Sequence, residues 1–217
     1  MTARTGLGLR LRRWAHALRH SPLHPQWHAF RYKERAARDA AAAARGALLD
    51  VGCADGHLRR RLGGSVGYTG LDFPGTATDL YGTRPGVFGD AQRLPFADGT
   101  FDCVFSACVF HHIDAAEHVG LLAELRRVLR PGGLITIFEH NPLNPLTVRA
   151  VNTCPFDENA VLMRAATLRD RFAQAGFAHP RVRFRIFFPR ALRALRPLEP
   201  WLAWLPLGAQ YSVCAVR

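Results

Sequence analysis

Residues 47–56 read ALLDVGCADG, and the reading of this stretch decides the fold. Ala47 to Val51 is a short apolar run carrying one acid, Asp50, near its end. Gly52 and Gly56 follow, and glycine lets a chain turn sharply at the carboxyl end of a strand and bring its backbone close to a ligand. Many α/β proteins carry such a strand–turn junction, so the context must decide what this one does.

Downstream, apolar runs and helical patterns alternate. Val66 to Asp72 reads as a second strand and Gly86 to Gly89 as a short third. Phe101 to Ala107 reads as a fourth, apolar almost throughout, as in a parallel sheet covered on both faces. Asp114-Ala-Ala-Glu117 has the form of a capping box, predicting a helix to Leu129. Pro131-Gly132-Gly133 is expected to stop it before a fifth strand, Leu134 to Phe138. Gly56 to Leu62 and Thr167 to Ala175 read as helices, and Thr76 to Leu80 as a weak helix or turn. Arg181 to Phe187 alternates basic and apolar residues with the period of a strand. Tyr211 to Val216 is the last strand. This alternation predicts an α/β fold with a doubly wound sheet.

The N-terminal region differs. Leu7, Leu11, Trp14 and Leu18 share one helical face, with arginines mostly off it. Pro22 and Pro25 break that helix, and a second is expected from Trp27 to Arg45 through an alanine run ended by Gly46. The domain division read from this is a basic helical extension over 1–44 and a ligand-binding domain over 45–217. The formal net charge is +12, concentrated at the two ends of the chain, which suggests an anionic partner or surface beside the central region. The extension has three competing readings: a lid on the domain, a helix on an anionic membrane surface, or an arm along a nucleic-acid backbone.

The chain of 217 residues suits one full core. No apolar run reaches the roughly 18–20 residues that span a bilayer, and no secretory signal is expected. The five cysteines show no metal-ligand spacing and read as reduced, mostly buried thiols of a cytoplasmic protein.

Five blocks come in a fixed order: ALLDVGCADG, then Asp72 closing VGYTGLD, then GDAQRLPF from Gly89, FDCVFSACVFHHI from Phe101, and LRRVLRPGGLITIFEH from Leu125. Together they resemble the class I S-adenosylmethionine-dependent methyltransferases, in particular the small-molecule branch with the quinone-type enzymes. The resemblance covers about residues 45–140 well and 160–217 loosely. It implies a Rossmann-like sheet of seven strands with the last antiparallel, N-terminal helices, and S-adenosylmethionine as cofactor.

Site residues follow from both readings. The loop Gly52, Cys53, Ala54, with Gly56, is implied to lie along the methionine part of the cofactor, braced by Asp50. Ala54 stands where the family usually has glycine. Asp72 ends the second strand, where a carboxylate can accept both ribose hydroxyls. Nicotinamide dehydrogenases place an acid similarly, so the block Gly89-Asp90-Ala91 discriminates: Asp90 is implied to accept from the adenine amino group and the Ala91 amide to donate to the ring. Phe73 contacts the adenine face or packs the loop. Ser106, near the end of the fourth strand, is implied to help hold the cofactor's amino-acid end.

His111 is the first candidate general base, because histidine titrates near neutrality; His112 beside it reads as a packing or bracing residue. His140 is the second candidate, with Glu139 as its partner or orienting group. Two Asn-Pro pairs over 141–145 predict a stiff extended path across the sheet top. Cys154 to Asn159 is a candidate substrate lid whose residues receive no roles. No metal is expected, and adjacent histidines are a poor chelate.

The expected reaction is methyl transfer to a small-molecule or lipid- or glycan-linked acceptor by a cytoplasmic protein, peripheral at the inner membrane face if the first helix binds lipid. Alternatives are a nucleic-acid methyltransferase using Arg181, Arg183 and Arg185 for phosphates, disfavoured because no base-flipping motif ends the fourth strand, and a catalytically silent cofactor-binding scaffold. Pro197 to Leu207 (PLEPWLAWLPL) reads first as a core-packed connection between the last two strands, and second as an interfacial segment through Trp201 and Trp204. Oligomeric state is not legible.

Overall fold

The computed structural model describes residues 27–54, 56, 58–72, 87–88, 93–154, 157 and 159–217. The first basic helix, Phe73, Asp90, Ala91, the 76–80 turn and the lid residues Pro155, Phe156 and Glu158 lie outside the described residues.

Seven strands form one sheet: β1 (Ala47–Val51), β2 (Gly67–Asp72), β3 (Val87–Phe88), β4 (Phe101–Ala107), β5 (Leu129–His140), β6 (Ala178–Arg185) and β7 (Gln210–Val216). Their spatial order is β3-β2-β1-β4-β5-β7-β6. β1 to β5 pair in parallel, and β7 runs antiparallel between β5 and β6. The chain order reverses between β1 and β4, so the carboxyl ends of these two strands flank the crevice where doubly wound sheets take ligands.

Strand periodicity feeds two cores. Leu49, Val51, Val104, Ile135, Ile137 and Val213 point to one face, where α2 (His118–Val128) and α4 (Ala165–Gln174) cover them with Leu121, Leu122, Leu125, Leu168 and Phe172, all fully buried. Leu48, Cys103, Phe105, Ala107 and Phe138 point to the other face. There α1 (Trp27–Ala43) brings Ala36 and Ala37, at 0% and 1% exposure, against the sheet. Side chains that small let a helix approach closely. This part of the first 44 residues is therefore built into the covering layer of the sheet.

Local chemistry shifted several boundaries. The helix expected from Asp114 begins at His118, because Asp114 closes a turn instead: its Oδ1 accepts from Ala116 N at 2.9 Å and its carbonyl from Glu117 N at 3.0 Å. Pro131-Gly132-Gly133 lies within β5, where Gly132 N donates to Arg217 O and Arg217 N to Gly133 O, each at 3.0 Å. The segment 56–62 forms only a 3₁₀ turn, Arg59–Arg61.

The extended path expected over 141–145 is corrected. Asn144 caps a helix, α3 (Pro145–Asn152), its side chain accepting from Thr147 N at 3.0 Å. Proline suits the first helical position, where its missing N–H has no partner to lose. The 197–207 segment is corrected too. Residues Arg190–Leu202 are 3₁₀-helical, and Trp201 and Trp204 are 74% and 75% exposed rather than packed in a core. Among the described residues, no helix is long and apolar enough to cross a membrane, and none of the five cysteines forms a disulfide.

Candidate active site

The turn after β1 closes over β2. Gly52 N and Cys53 N donate to Leu71 O at 2.9 and 3.1 Å, and Ala54 N donates to Asp72 Oδ2 at 2.6 Å. Gly52 has φ +71 and Gly56 φ +74, conformations that glycine adopts without strain. A Cβ on Gly52 would stand 2.2 Å from Val109 Cγ2, so the β1 and β4 loops press together at the reversal point.

Two buried acids govern this corner. Asp50 and Asp72 are 3% and 6% exposed. Asp50 Oδ2 accepts from the Tyr68 hydroxyl at 2.8 Å. Burial first, then the charges of Asp50 and Asp72, push the Cys53 thiol up to about 12. Burial and Asp50 likewise drive Tyr68 far above its ordinary value. Cys53 is therefore a protonated, inert thiol, and the corner favours positive charge. Ser106, fully buried, sits in register with Val51 across the reversal point, and its Oγ has no hydrogen-bond partner among the described residues.

The second constellation lies one strand further along. A 3₁₀ turn, Phe110–His112, follows β4 and delivers His111, 1% exposed, beneath the sheet rim. Glu139, 1% exposed near the end of β5, takes three donors. Its Oε1 accepts from Val109 N at 3.0 Å and Phe110 N at 2.9 Å, and its Oε2 lies 2.6 Å from His111 Nδ1. Burial alone would raise this carboxyl. The charge of His111 and these hydrogen bonds overcome it and hold Glu139 down at about 2. Burial alone would lower His111, but Glu139 and Asp157 outweigh it and raise the imidazole to about 9.

Glu139 therefore partners His111, the nearer candidate, rather than His140 as expected. His140 is buried nearby, its ring centroid 5.2 Å from that of His111. Gln210 faces His140 in the strand register. It is fully buried and was not foreseen, and its Oε1 has no partner among the described residues.

Asp157, also not foreseen, completes the group. Its Oδ1 lies 3.5 Å from His111 Nε2 and 3.6 Å from His112 Nε2. Burial would raise this acid, but the polar contacts of His111, His112 and Cys154 around it hold it well below the carboxylate range. His111, His112 and Asp157 thus offer three ligand atoms that could hold a metal ion, although adjacency alone predicted a poor chelate. Val161 N donates to His111 O at 2.8 Å and ties the far side of this loop to the histidine turn. A cavity of about 530 Å³ opens beside it, lined by Val151, Cys154, Asp157, Asn159 and Ala160 among others.

Other sequence candidates fall elsewhere. Asn141, on the stretch expected to be extended, is fully buried and braces the chain before β7, its Nδ2 donating to Pro206 O at 3.1 Å and Gly208 O at 2.7 Å. Arg185, one of three arginines considered for phosphates, turns inward to pair with Asp39 and lies over the Phe138 ring, 4.6 Å from its centroid.

Comparison with known proteins agrees with this geometry. A family model for the methyltransferase domain matches residues 49–137, the segment that carries β1 to β5. The chain is 32% identical over 107 residues to sterol 24-C-methyltransferase of Gibberella zeae, covering 42% of this chain and 27% of that protein. It is 33% identical over 122 residues to demethylmenaquinone methyltransferase of Deinococcus radiodurans, covering 51% and 50%. The matches thus span half or less of these curated relatives. A SAM-dependent methyltransferase from Archaeoglobus fulgidus superposes with a TM-score of 0.66 at 17% identity, covering 88% of this chain and 94% of that one, which shows a shared fold.

Proposed function

We propose that this chain transfers a methyl group from S-adenosylmethionine to a small-molecule or lipid- or glycan-linked acceptor. The observation that carries the reading is the pairing of two arrangements across one crevice. An acid-lined turn with an unpartnered Ser106 Oγ stands on one side, and a buried Glu139–His111 pair on the other. The acid-lined turn fits the cofactor: Asp50 and Asp72 favour a ligand bearing an ammonium and a sulfonium. The relatives named for menaquinone and sterol methylation support an apolar acceptor.

In this reading Gly52, Cys53, Ala54 and Gly56 lie along the ligand, with Asp50 and Ser106 at its amino-acid end. Asp72 takes the ribose hydroxyls, while Phe73, Asp90 and Ala91 serve the adenine. When bound, the cofactor supplies a methyl group already activated on sulfur. The protein's task is then alignment and exclusion of water. Glu139 holds a proton on His111 Nδ1, so that in the neutral imidazole, populated as pH rises toward 9, Nε2 takes a proton from a hydroxyl or amine acceptor. Asp157 and His140 border that nitrogen and hold the acceptor against it, and the half-exposed His112 stands at the entrance. No metal is required for this step. The basic extension, residues 1–44, serves as a lid for the 45–217 domain, and the protein works in the cytoplasm, at the membrane's inner face where the acceptor is lipid-linked.

Calorimetric titration of S-adenosylhomocysteine into the wild type and Asp72→Ala tests this. We expect binding to the wild type and at least a tenfold loss in the variant, about 1.4 kcal/mol. A wild type that binds no S-adenosylhomocysteine sinks the reading. Turnover with quinone, phenolic and lipid-linked acceptors then identifies the acceptor class.

A further inference from the structure

The segment after β6 is written in triplets: Arg190-Ala191-Leu192, Arg193-Ala194-Leu195, Arg196-Pro197-Leu198, Glu199-Pro200-Trp201, Leu202-Ala203-Trp204. The backbone over Arg190–Leu202 is 3₁₀-helical, with a kink at Leu192. A 3₁₀ helix has about three residues per turn, so every third residue falls in line. Sequence period and backbone period coincide. Leu195, Leu198 and Trp201 form one file on the helix beyond the kink, with exposures of 40%, 40% and 74%, and Leu192 at the kink and Trp204 just past the helix end, 48% and 75% exposed, flank it.

The neighbouring file holds the exposed Arg193 and Arg196 and ends at Glu199, which turns inward to Arg35 at 2.6 Å. The third file, Ala191, Ala194, Pro197, Pro200 and Ala203, is small and uncharged. The outer face is therefore an apolar ridge beside a row of cations, with no exposed acid.

The ridge does not end with the helix. Asn144 Nδ2 donates to Leu207 O at 2.8 Å, which ties the turn carrying the exposed Leu207 to the start of α3, where Leu143 and Leu146 are 45% and 67% exposed. Eight of the ten exposed large apolar side chains among the described residues lie in these two adjoining stretches, so the exposure is a patch and not scatter.

We infer that this patch is a docking surface for an anionic lipid bilayer, on which the triplet helix lies flat. From Leu195 to Trp201 the file runs about 12 Å at roughly 2 Å per residue, and Leu192 and Trp204 extend the apolar surface at either end, in the manner of an interfacial helix. Tryptophan is favoured at the headgroup boundary, and Arg193 and Arg196 meet the negative surface. A second copy of the chain is a poorer occupant. A two-fold contact brings the same patch to itself, and this patch offers arginines no exposed acid to meet. The docked face lies along the turn that leads into β7, beside His140 and Gln210, so an acceptor held in the membrane would reach the crevice without crossing water.

The test is flotation of the full-length protein with phosphatidylcholine vesicles, with and without phosphatidylglycerol, and it needs no turnover. Wild type is expected to float with the anionic vesicles and its tryptophan emission to move to shorter wavelength. Trp201→Ser with Trp204→Ser is expected to weaken binding at least tenfold, with the melting temperature unchanged because both rings are exposed. Leu146→Gln provides an independent second variant, and Arg193→Gln with Arg196→Gln should remove most of the salt sensitivity. A wild type that does not float overturns the inference. So does tryptophan-variant binding equal to wild type, which would assign adsorption to another surface. A dimer seen by light scattering that the tryptophan substitutions dissolve, without vesicle binding, would assign the patch to a second copy.

Discussion

Replacing Glu139 by Gln keeps the shape of the side chain and removes its charge. In the wild type Glu139 and Asp157 together, against the opposing effect of burial, lift His111 from its ordinary 6.5 to about 9. That gap corresponds to about 3 kcal/mol at ~1.4 kcal/mol per unit. The sign follows from linkage. A histidine whose folded pKa is raised contributes its full stabilisation below 6.5 and loses it as pH climbs through about 9. Glu139, lowered from 4.5 to about 2, contributes above 4.5 and loses its share as pH falls toward 2. The pair therefore stabilises the fold most between about pH 4.5 and 6.5.

In Glu139→Gln the amide oxygen can still accept from Val109 N and Phe110 N, so the backbone of the turn stays satisfied. The charge that held the His111 proton is gone, while the burial that opposes protonation remains. Unfolding in urea, followed by circular dichroism from pH 5 to 10, should show the variant weaker by up to about 3 kcal/mol near pH 6, Asp157 retaining part of the shift. The two curves should converge at high pH, where His111 is neutral in both. Ring-proton resonances of His111 should titrate near 9 in the wild type and at least one unit lower in the variant. If His111 is the base, wild-type turnover should climb with pH toward 9, because only the neutral imidazole accepts a proton. Parallel stability curves, offset by a constant at every pH, would refute the coupling.

Two further perturbations probe the frame around the crevice. Asn141→Ala removes the donors to Pro206 O and Gly208 O and the acceptor for Leu143 N. It should cost about 2–4 kcal/mol in urea unfolding, since buried carbonyls lose their partners; a cost under 1 kcal/mol would show that the turn before β7 re-pairs by itself. Gly52→Ala places a methyl against Val109 Cγ2 at a positive φ. It should destabilise the chain by about 1–3 kcal/mol and weaken S-adenosylhomocysteine at least tenfold, read by thermal melting and calorimetry; unchanged affinity would place the ligand away from this turn.

What the sequence disclosed depended on how far each signal reaches along the chain. β1 and β4 were legible to the residue, because strands buried on both faces are mostly apolar, and Gly52 marks the end of β1. The Asn144-Pro145 pair was misread because it has two local solutions: an extended path, or an Asn cap followed by proline at the first helical position. Only the partners that α3 finds in the folded chain choose between them. The Glu139–His111–Asp157 group was half visible. His111 and Glu139 could each be picked as chemistry-bearing residues at strand ends. Their pairing joins positions 28 residues apart, and Asp157 comes from a loop with no periodicity, so no spacing rule could connect them.

The triplet helix is the instructive failure, because its signal was local and complete. A scan for periods of 3.6 and 2 passes over a period of three. Prolines at 197 and 200 argue against an α-helix, and two tryptophans among leucines suggest a core. In a 3₁₀ helix the same facts agree with one another. Proline supplies the fixed φ in the small file, and the tryptophans and leucines align in another. The Glu199 carboxylate turns back, accepting from Arg35 and from Phe188 N at 3.3 Å, and Arg196 Nε donates to Phe188 O at 3.4 Å. A few anchors to the domain, at Arg196, Glu199 and Ala203 O, beside an exposed apolar file are what a segment needs if it is fastened to the domain while facing a non-aqueous neighbour elsewhere. A connection built only to carry the chain from β6 to β7 would bury its tryptophans.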